Sequence, residues 1–282
     1  MATVALLHAH PDDESLASGG TMALLADAGH RVVLVVATRG EEGEPVPGVL
    51  DDGEALEDRR TDELHEAARI LGAARVAFLG YRDSGMADDP ANAHPDCFWQ
   101  ADVDEAAARL DEVLSGEDPE LLVAYDPNGG YGHPDHVQVY RVGTRWAERR
   151  AADGHPVRLR WVTLNRDVIQ ATMDAALAAA EEAAATGEPI WSDDAMLQAR
   201  RERLESGTYG MPDSEITHGV DVGAVLDRKR AAMRAHASQI PDDSFFLAMP
   251  DEAFALAFGR EWYVDPDRHR DGRAQVDDPL LP

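Results

Sequence analysis

Two short segments of the chain concentrate histidine and carboxylate side chains. Residues 8–14 read His-Ala-His-Pro-Asp-Asp-Glu, and residues 126–136 end in His-Pro-Asp-His. A catalytic zinc ion usually takes three protein ligands, mostly histidine nitrogens and carboxylate oxygens, and leaves a fourth position for water. The chain contains a single cysteine, Cys97, so a closed structural zinc site made of cysteines is not expected. The two segments therefore predict a hydrolytic metal centre.

The spacing of these residues leaves the ligand set open. Six side chains are candidate ligands: His8, His10, Asp12, Asp13, His133 and His136. A plainer interpretation is that residues 12–15 cap a helix and that the later histidines lie on a glycine turn. Capping explains neither early histidine, and imidazole groups beside a buried strand cost desolvation free energy unless they are paired or bind a metal. A third His-Pro-Asp, residues 94–96, follows no predicted strand, so the tripeptide alone indicates nothing.

Both segments directly follow predicted β-strands. Apolar runs rich in β-branched residues predict strands at residues 3–7, 32–37, 76–79, 121–124 and 157–164. Helical stretches, most of them ending before a glycine, alternate with these runs at residues 15–28, 54–71, 103–114 and 136–152. The alternation predicts an α/β, Rossmann-like fold with a mostly parallel sheet and helices on both faces. Loops at the carboxyl ends of such strands form the site, so the two segments can meet at one edge.

The second half of the chain is predicted to be mostly helical. Helices are expected over residues 170–186, 194–205 and 222–238, with added strands at 216–220 and 261–264. Residues 265–282 are rich in Asp, Arg and Pro and lack periodicity, which is typical of a loose tail. We therefore expect one domain over residues 1–264, followed by this tail.

The composition limits the partners and the compartment. A net charge of −28, from 54 acidic and 26 basic residues, repels phosphate backbones and anionic lipids, so neither nucleic acid nor a membrane is an expected partner. No window approaches the roughly 20 apolar residues of a membrane span, and the apolar run at residues 4–7 is too short for a signal peptide. A cytoplasmic protein is predicted. The helical half could provide the interface of a homo-oligomer.

At the two segments the sequence resembles the LmbE-like (PIG-L) deacetylases, which are zinc hydrolases with a Rossmann-like fold. Their hallmark is Ala-His-Pro-Asp-Asp-Glu with a later His-Pro-Asp-His, and both are present here without substitution. The resemblance implies that His10, Asp13 and His136 hold one zinc ion per chain. Fe²⁺ and other divalent ions also suit two histidines and one carboxylate. His236, near the end of a predicted helix, is assigned a packing or C-terminal charge role and not a ligand role.

The resemblance also implies roles for four residues around the metal. Asp12 is the general base that deprotonates the attacking water. His133, oriented by Asp135, stabilises the tetrahedral oxyanion or protonates the leaving amine. Tyr131 donates a hydrogen bond to the same oxyanion.

Three segments, residues 40–44, 82–86 and 126–136, further resemble the members of this family that act in the mycothiol pathway. By that likeness Asp83 holds sugar hydroxyls, Arg60 reaches the polar aglycone and Glu44 faces the pocket. Ordinary surface charge is the alternative for Arg60 and Glu44.

The predicted reaction is removal of the N-acetyl group from an N-acetylglucosamine-type glycoside. One alternative is an amidase that cleaves a larger acyl group from a thiol conjugate, and another is a deacetylase of a different amino sugar in natural-product metabolism. A third is a non-catalytic relative that binds zinc or sugar. A dinucleotide-binding module is disfavoured, because Pro-Asp-Asp-Glu stands where a phosphate-binding glycine turn is needed.

Overall fold

The centre of the molecule is a seven-stranded sheet with the order β3-β2-β1-β4-β5-β7-β6. The structure is a computed structural model, and it describes residues 1–175 and 207–276. The strands are β1 (Thr3–His8), β2 (Arg31–Val36), β3 (Arg75–Phe78), β4 (Leu121–Tyr125), β5 (Arg158–Thr163), β6 (His218–Asp221) and β7 (Arg260–Val264). Neighbours among β1 to β5 run parallel, whereas β7 is antiparallel to both β5 and β6. The predicted α/β fold class is confirmed.

Helices cover the sheet and join its parallel strands. They are α1 (Gly19–Asp27), α2 (Leu56–Leu71), α3 (Val103–Val113), α4 (Pro134–Ala152), α5 (Leu226–Ala235) and α6 (Asp251–Phe258). A π-helical turn, Glu14–Ser18, precedes α1, and a single helical turn, Gly129–Gly132, precedes α4. The sequence did not predict α6. Within residues 1–175 and 207–276, no helix combines the length and apolarity needed to cross a membrane.

Two predicted helices fall largely or wholly outside the described residues. The helix expected over residues 170–186 is helical as far as residue 175, where the description ends. The helix expected over residues 194–205 lies entirely outside it. The helix expected over residues 222–238 is present as the shorter α5, with a 3₁₀ turn before it.

The central strands are covered on both faces. All of β4 is buried, and so is every residue of β1 and β2 after the first. Strands buried on both faces need continuous apolar runs, which is why these segments lack a polar alternation. Because β1 lies between β2 and β4, the strand order reverses there, and the loops that follow β1 and β4 leave the sheet side by side.

A buried ionic network joins β7, α1 and α5. The Glu261 carboxylate accepts hydrogen bonds from the backbone N–H groups of Gly20 and Thr21, each at 2.8 Å, at the amino end of α1. Lys229 Nζ on α5 lies 2.6 Å from the same carboxylate, and the Tyr263 hydroxyl donates to it at 3.1 Å. A carboxylate at a helix N-terminus is favoured by the helix dipole. The network therefore fixes the helix that follows the loop after β1.

Part of the predicted tail has contacts with the domain. Asp265 lies 3.0 Å from Arg160 Nη1, and Val276 exchanges backbone hydrogen bonds with Thr217 and Gly219. Residues 277–282 lie outside the described part of the chain. The boundary at residue 264 stays a prediction.

Candidate active site

The loop after β1 brings His10 and Asp13 together in a buried position. The backbone N–H of His10 donates to Asp13 Oδ2 at 2.8 Å, and His10 Nδ1 lies 3.4 Å from the same oxygen. Asp13 directly precedes the π-helical turn, in the N-cap position, yet its side chain makes no capping hydrogen bond within the described structure. The helix-cap interpretation therefore does not account for Asp13.

The loop after β4 holds His133 and His136 at the start of α4. His133 Nδ1 accepts the backbone N–H of Asp135 at 3.1 Å, and Pro134 occupies the first turn, where its missing N–H costs nothing. His136 Nδ1 lies 3.1 Å from the carbonyl oxygen of Gly129. Gly129 has φ 61°, and a Cβ there would stand 2.7 Å from that of His136. Only glycine permits this close approach. Because the Gly129 carbonyl can only accept, His136 Nδ1 carries the proton and donates, and Nε2 bears a lone pair.

The two loops converge on one point that suits a divalent cation. His136 Nε2 is buried and makes no hydrogen bond with any described residue, although it lies 3.3 Å from Asp13 Oδ1. Nitrogen atoms of His10, His133 and His136 lie within 4.8 Å of one another. The buried lone pair of His136 Nε2 accepts no hydrogen bond in the described structure and faces a carboxylate and other imidazoles. Transition metals bind such a set of nitrogen and oxygen ligands. The residues therefore fit a metal ion.

His10 is held from its other side by carboxylates. Its Nε2 lies 3.2 Å from Asp135 Oδ2 and 3.4 Å from Asp83 Oδ1, so Nε2–H donates and Nδ1 is left for a metal. Ser84, which the sequence did not single out, donates to Asp135 through its backbone N–H at 3.0 Å and through its hydroxyl. A carboxylate behind a ligating histidine fixes the ring and raises its basicity. Ser84 lies in the segment 82–86 that carries the resemblance, but the sequence assigned it no role of its own.

Asp135 contacts two histidines. The sequence predicted that Asp135 orients His133, and the structure adds that its carboxylate bonds to His10 and Ser84. Only the backbone N–H of Asp135 is bonded to His133. The reason is that the first turn of α4 directs the Asp135 side chain towards the loop after β3. His133 therefore carries its proton on Nε2 when the ring is neutral, and this N–H is not bonded to Asp135.

Burial and neighbouring charges shift several pKa values here. Burial raises the pKa of Asp12 to about 6, although the Arg60 guanidinium opposes the shift. Burial lowers the pKa of His133 to about 2, and the nearby His10 and His136 act in the same direction. Burial alone would raise the pKa of Asp13, but the charge of His136 and its bonds to both histidines leave that pKa well below the usual value. Perturbed groups that cluster in this way are typical of functional sites.

Asp12 occupies an unusual backbone conformation beside Asp13. Its φ is 107°, in a region that side-chain-bearing residues rarely adopt. Arg60 is buried, and its Nη2 donates to Asp12 Oδ2 at 3.2 Å and to the Pro11 carbonyl at 2.6 Å, while its Nη1 donates to the Gly40 carbonyl. The structure thus makes Arg60 a brace for the loop of Asp12, and not the surface charge that was the alternative reading.

The remaining predicted residues differ in their distance from the centre. Tyr131, on the helical turn before α4, has its ring centroid 4.9 Å from that of His136 and 6.3 Å from that of His133. Asp83 is buried beside His10, and burial would raise its pKa, but the charge of His10 and a bond from the Gly85 N–H lower that pKa below the usual value. Glu44 is exposed to solvent.

His8 does not take part as a ligand, because both of its ring nitrogens have protein partners. Its Nδ1 lies 3.0 Å from the Tyr125 hydroxyl, and its Nε2 lies 2.8 Å from Ser18 Oγ. The ring of Tyr125 stacks on His136 at a centroid distance of 4.3 Å. Tyr125 was missed by sequence reasoning because it reads as the last apolar residue of β4.

A groove on the described surface lies next to the centre and is separate from it. It has a volume of about 840 Å³ and is lined in part by Glu41, Tyr81, Arg82 and Arg109, with no metal-site residue among its walls. Glu41 accepts the backbone N–H of Asp83 at 3.0 Å, so the groove adjoins that residue.

Comparison with known proteins places these features in a family. The family model described as PIG-L, GlcNAc-PI de-N-acetylase, matches residues 5–147, which include the loops after β1 and β4. A protein of Acidothermus cellulolyticus named 1D-myo-inositol 2-acetamido-2-deoxy-alpha-D-glucopyranoside deacetylase is 41% identical over 268 residues. That match covers 92% of this chain and 87% of the relative.

Solved structures share the fold at lower identity. N,N'-diacetylchitobiose deacetylase from Pyrococcus horikoshii has a TM-score of 0.53 at 20% identity and covers 86% of this chain and 72% of its own. GalB, the 4-carboxy-2-hydroxymuconate hydratase from Pseudomonas putida, has a TM-score of 0.52 at 20% identity and full coverage of both chains. Since a deacetylase and a hydratase share this fold, the fold alone does not determine the reaction.

Proposed function

This chain belongs to the PIG-L family of GlcNAc-PI de-N-acetylases, and from that premise we propose that it is a metal-dependent hydrolase that removes the N-acetyl group from an N-acetylglucosamine-type glycoside. The observation that carries the proposal is the buried His136 Nε2, which lacks a hydrogen bond in the described structure. It faces Asp13 and His10, which lie on the loop after β1. The 41% identity to a named glycoside deacetylase over most of both chains supports the substrate class.

The metal in this proposal is one zinc ion per chain, held by His10, Asp13 and His136. Two nitrogens and one oxygen with an open fourth position form a usual catalytic zinc set, and Fe²⁺ is the main competitor. When bound, the ion supplies a Lewis acid that polarises the amide carbonyl and brings the pKa of water towards about 7. Asp135 and Gly129, which bond to the outer nitrogens of the two histidines, hold the rings in place for it.

The proton transfers in this proposal belong to Asp12. With a pKa of about 6 its carboxylate is ionised at neutral pH and accepts the proton of the attacking water. The water oxygen bonds to the acetyl carbon, and the carbonyl oxygen takes up the negative charge. As the carbon–nitrogen bond breaks, the proton held on Asp12 passes to the leaving amine, which yields acetate and a free amino sugar.

His133 and Tyr131 are the proposed donors to the developing oxyanion. The Asp135 N–H occupies His133 Nδ1, so the neutral ring carries its proton on Nε2. That tautomer favours stabilisation of the oxyanion over protonation of the amine. A positioned donor of this kind lowers the activation barrier of acyl transfer by about 3–4 kcal/mol.

Substrate binding is assigned to Asp83, Arg60 and Glu44 as proposals. Asp83 accepts two backbone N–H groups, from Gly85 and Glu42, and retains lone pairs for sugar hydroxyls. Arg60 faces Asp12, so its reach to an aglycone requires that the substrate enter beside the base. Glu44 is exposed on the neighbouring loop. The partner is a small glycoside, and we further propose a cytoplasmic location and a single domain ending at residue 264.

Acetate release tests the proposed reaction. Zinc-loaded protein is assayed on 1D-myo-inositol 2-acetamido-2-deoxy-alpha-D-glucopyranoside, N-acetylglucosamine and diacetylchitobiose, with a cysteinyl amide of the deacetylated glycoside as the amidase substrate. We expect acetate from the first substrate and a loss of about 10²–10⁴-fold in kcat for Asp12→Ala. Zinc content should be unchanged in that variant.

Two outcomes would contradict the proposal. Release of no acetate from any N-acetylglucosaminide would exclude the sugar-deacetylase function, and faster cleavage of the cysteinyl amide would identify the amidase instead. Full activity of Asp12→Ala would refute the assignment of the base.

A further inference from the structure

Two fully buried residues from opposite ends of the chain form an ion pair behind the metal loop. His236, which directly follows α5, places Nε2 2.7 Å from Glu14 Oε1, and neither side chain is exposed. The pair joins positions 222 residues apart in the sequence. Neither residue has a part in the proposed reaction. Burying a carboxylate is costly unless both of its oxygens are paired or hydrogen-bonded, so the second oxygen of Glu14 also needs a partner.

The other oxygen of Glu14 holds the backbone of the base. Glu14 Oε2 accepts the backbone N–H of Asp12 at 3.0 Å. The carbonyl of Asp12 accepts the N–H groups of Ser15 and Leu16 at 3.0 and 3.1 Å, so both polar backbone groups of Asp12 are bonded within the π-helical turn. Glu14 is therefore the link between the end of α5 and the peptide that carries the base.

Asp12 needs such support because its conformation is strained. A non-glycine residue at φ 107° is strained and persists only where its surroundings over-determine it. Arg60 holds the side chain of Asp12, but the bond to Glu14 acts on the peptide whose rotation defines φ. Without His236, Glu14 Oε1 would lose its ion-pair partner and keep only the Ser15 hydroxyl as a donor, so the carboxylate would be free to turn away from the Asp12 N–H.

We propose that His236 is a positioning residue for the base: it holds Glu14, and Glu14 holds Asp12 at positive φ so that the carboxylate faces the metal site. The inference rests on the proposed function only for the role of Asp12 in the reaction. The geometric part, a conformation of Asp12 that depends on His236, stands independently of any substrate.

The test compares His236→Leu, which removes the donor, with His236→Gln, whose amide nitrogen replaces it. Each variant is measured as zinc-loaded full-length enzyme for kcat, KM and zinc content, and crystal structures give φ of Asp12. We expect His236→Leu to lower kcat about 10–100-fold with KM and zinc content unchanged, since a misplacement near 1 Å costs about 10²-fold. His236→Gln should recover most of kcat, and φ should be positive in it and relaxed in the Leu variant.

His218→Leu is the matched control, because His218 is also a buried histidine but contacts Thr217 away from the metal loops. It should lower stability while kcat per folded molecule stays at the wild-type value. If His236→Leu does not fold, Glu14→Gln takes its place, because an amide can serve only one of the two N–H donors. Glu14→Gln is then expected to show the same loss of kcat.

Three results would overturn the inference. These are a His236→Leu enzyme with wild-type kcat, a parallel loss of zinc, or a positive φ of Asp12 in its crystal structure. If the wild-type enzyme releases no acetate from any substrate, the proposed function fails, and the φ of Asp12 in the variants still decides whether His236 positions it.

Discussion

Replacing Lys229 by Met tests whether the buried ionic network stabilises the fold. Lys229 Nζ lies 2.6 Å from Glu261 Oε1, and both side chains are 2% exposed. Removing one partner of a buried pair typically costs about 3–5 kcal/mol, because the other charge is left uncompensated. Glu261 would keep its neutral donors from Gly20, Thr21 and Tyr263, so we expect a loss near the lower limit, about 3 kcal/mol.

Equilibrium urea unfolding followed by circular dichroism measures this loss. At about 2–4 °C per kcal/mol for a chain of this size, the Tm should also fall by about 6–12 °C. Arg69→Met is the control, since Arg69 pairs with Glu66 on the exposed face of α2 with 70% and 51% of the two side chains exposed. Such pairs contribute little, so the control should stay within about 0.5 kcal/mol of wild type.

The double variant Lys229→Met/Glu261→Gln separates a charge effect from a packing effect. A neutral amide in place of the carboxylate needs no cation but accepts only one of the two backbone N–H groups, so the double variant should lose less than the sum of the two single losses. A loss below about 1 kcal/mol for Lys229→Met would refute the reasoning. So would a double variant whose loss equals the sum of its two single losses, since contacting partners should couple.

Two further predictions follow from the site and from β6. Removal of the metal with a chelator should lower the Tm measured by differential scanning fluorimetry. Added zinc should restore the Tm of the wild type but not that of His136→Gln, and equal recovery in both would contradict the ligand assignment. Burial and the positive charge of Arg160 lower the pKa of His218 from 6.5 to about 4, so the folded chain stays neutral at this residue while the unfolded chain takes up a proton below pH 6.5. The stability that the neutral His218 contributes is lost as the pH falls from 6.5 towards 4. His218→Gln should therefore reduce the difference in unfolding free energy between pH 7.5 and pH 5.5 by about 1 kcal/mol. An unchanged difference would contradict the lowered pKa of His218.

The strands and most helices were predictable because their residues carry the pattern that burial imposes. Doubly covered strands such as β1 and β4 need continuous apolar runs, and α2 ends where Gly72 adopts the left-handed conformation. Helix α6 escaped prediction because it has no polar face to mark a period. Its apolar residues include Leu256, which is 77% exposed, so composition and burial disagree there.

In the candidate site, too, the features set by local sequence were predictable and those set by tertiary packing were not. The two loops were predictable because their residues are close in sequence and follow strands. The partners of Asp135 were not, because its carboxylate meets Ser84 only after β3 and α4 have packed around one edge of the sheet. The contact of Arg60 with Asp12 likewise depends on how α2 docks, which no local pattern encodes.

The reversal of strand order between β1 and β4 also has a consequence for synthesis of the chain. His10 and Asp135 are hydrogen-bonded although 125 residues separate them in sequence. A ribosome adds about 5–20 residues per second, so the loop after β1 waits roughly 6–25 s in the growing chain before Asp135 is made. During that interval β2 can pair with one edge of β1, while the edge that β4 later covers stays open. An open apolar strand edge is a template for aggregation, so the nascent chain is most dependent on chaperones in the seconds before β4 emerges.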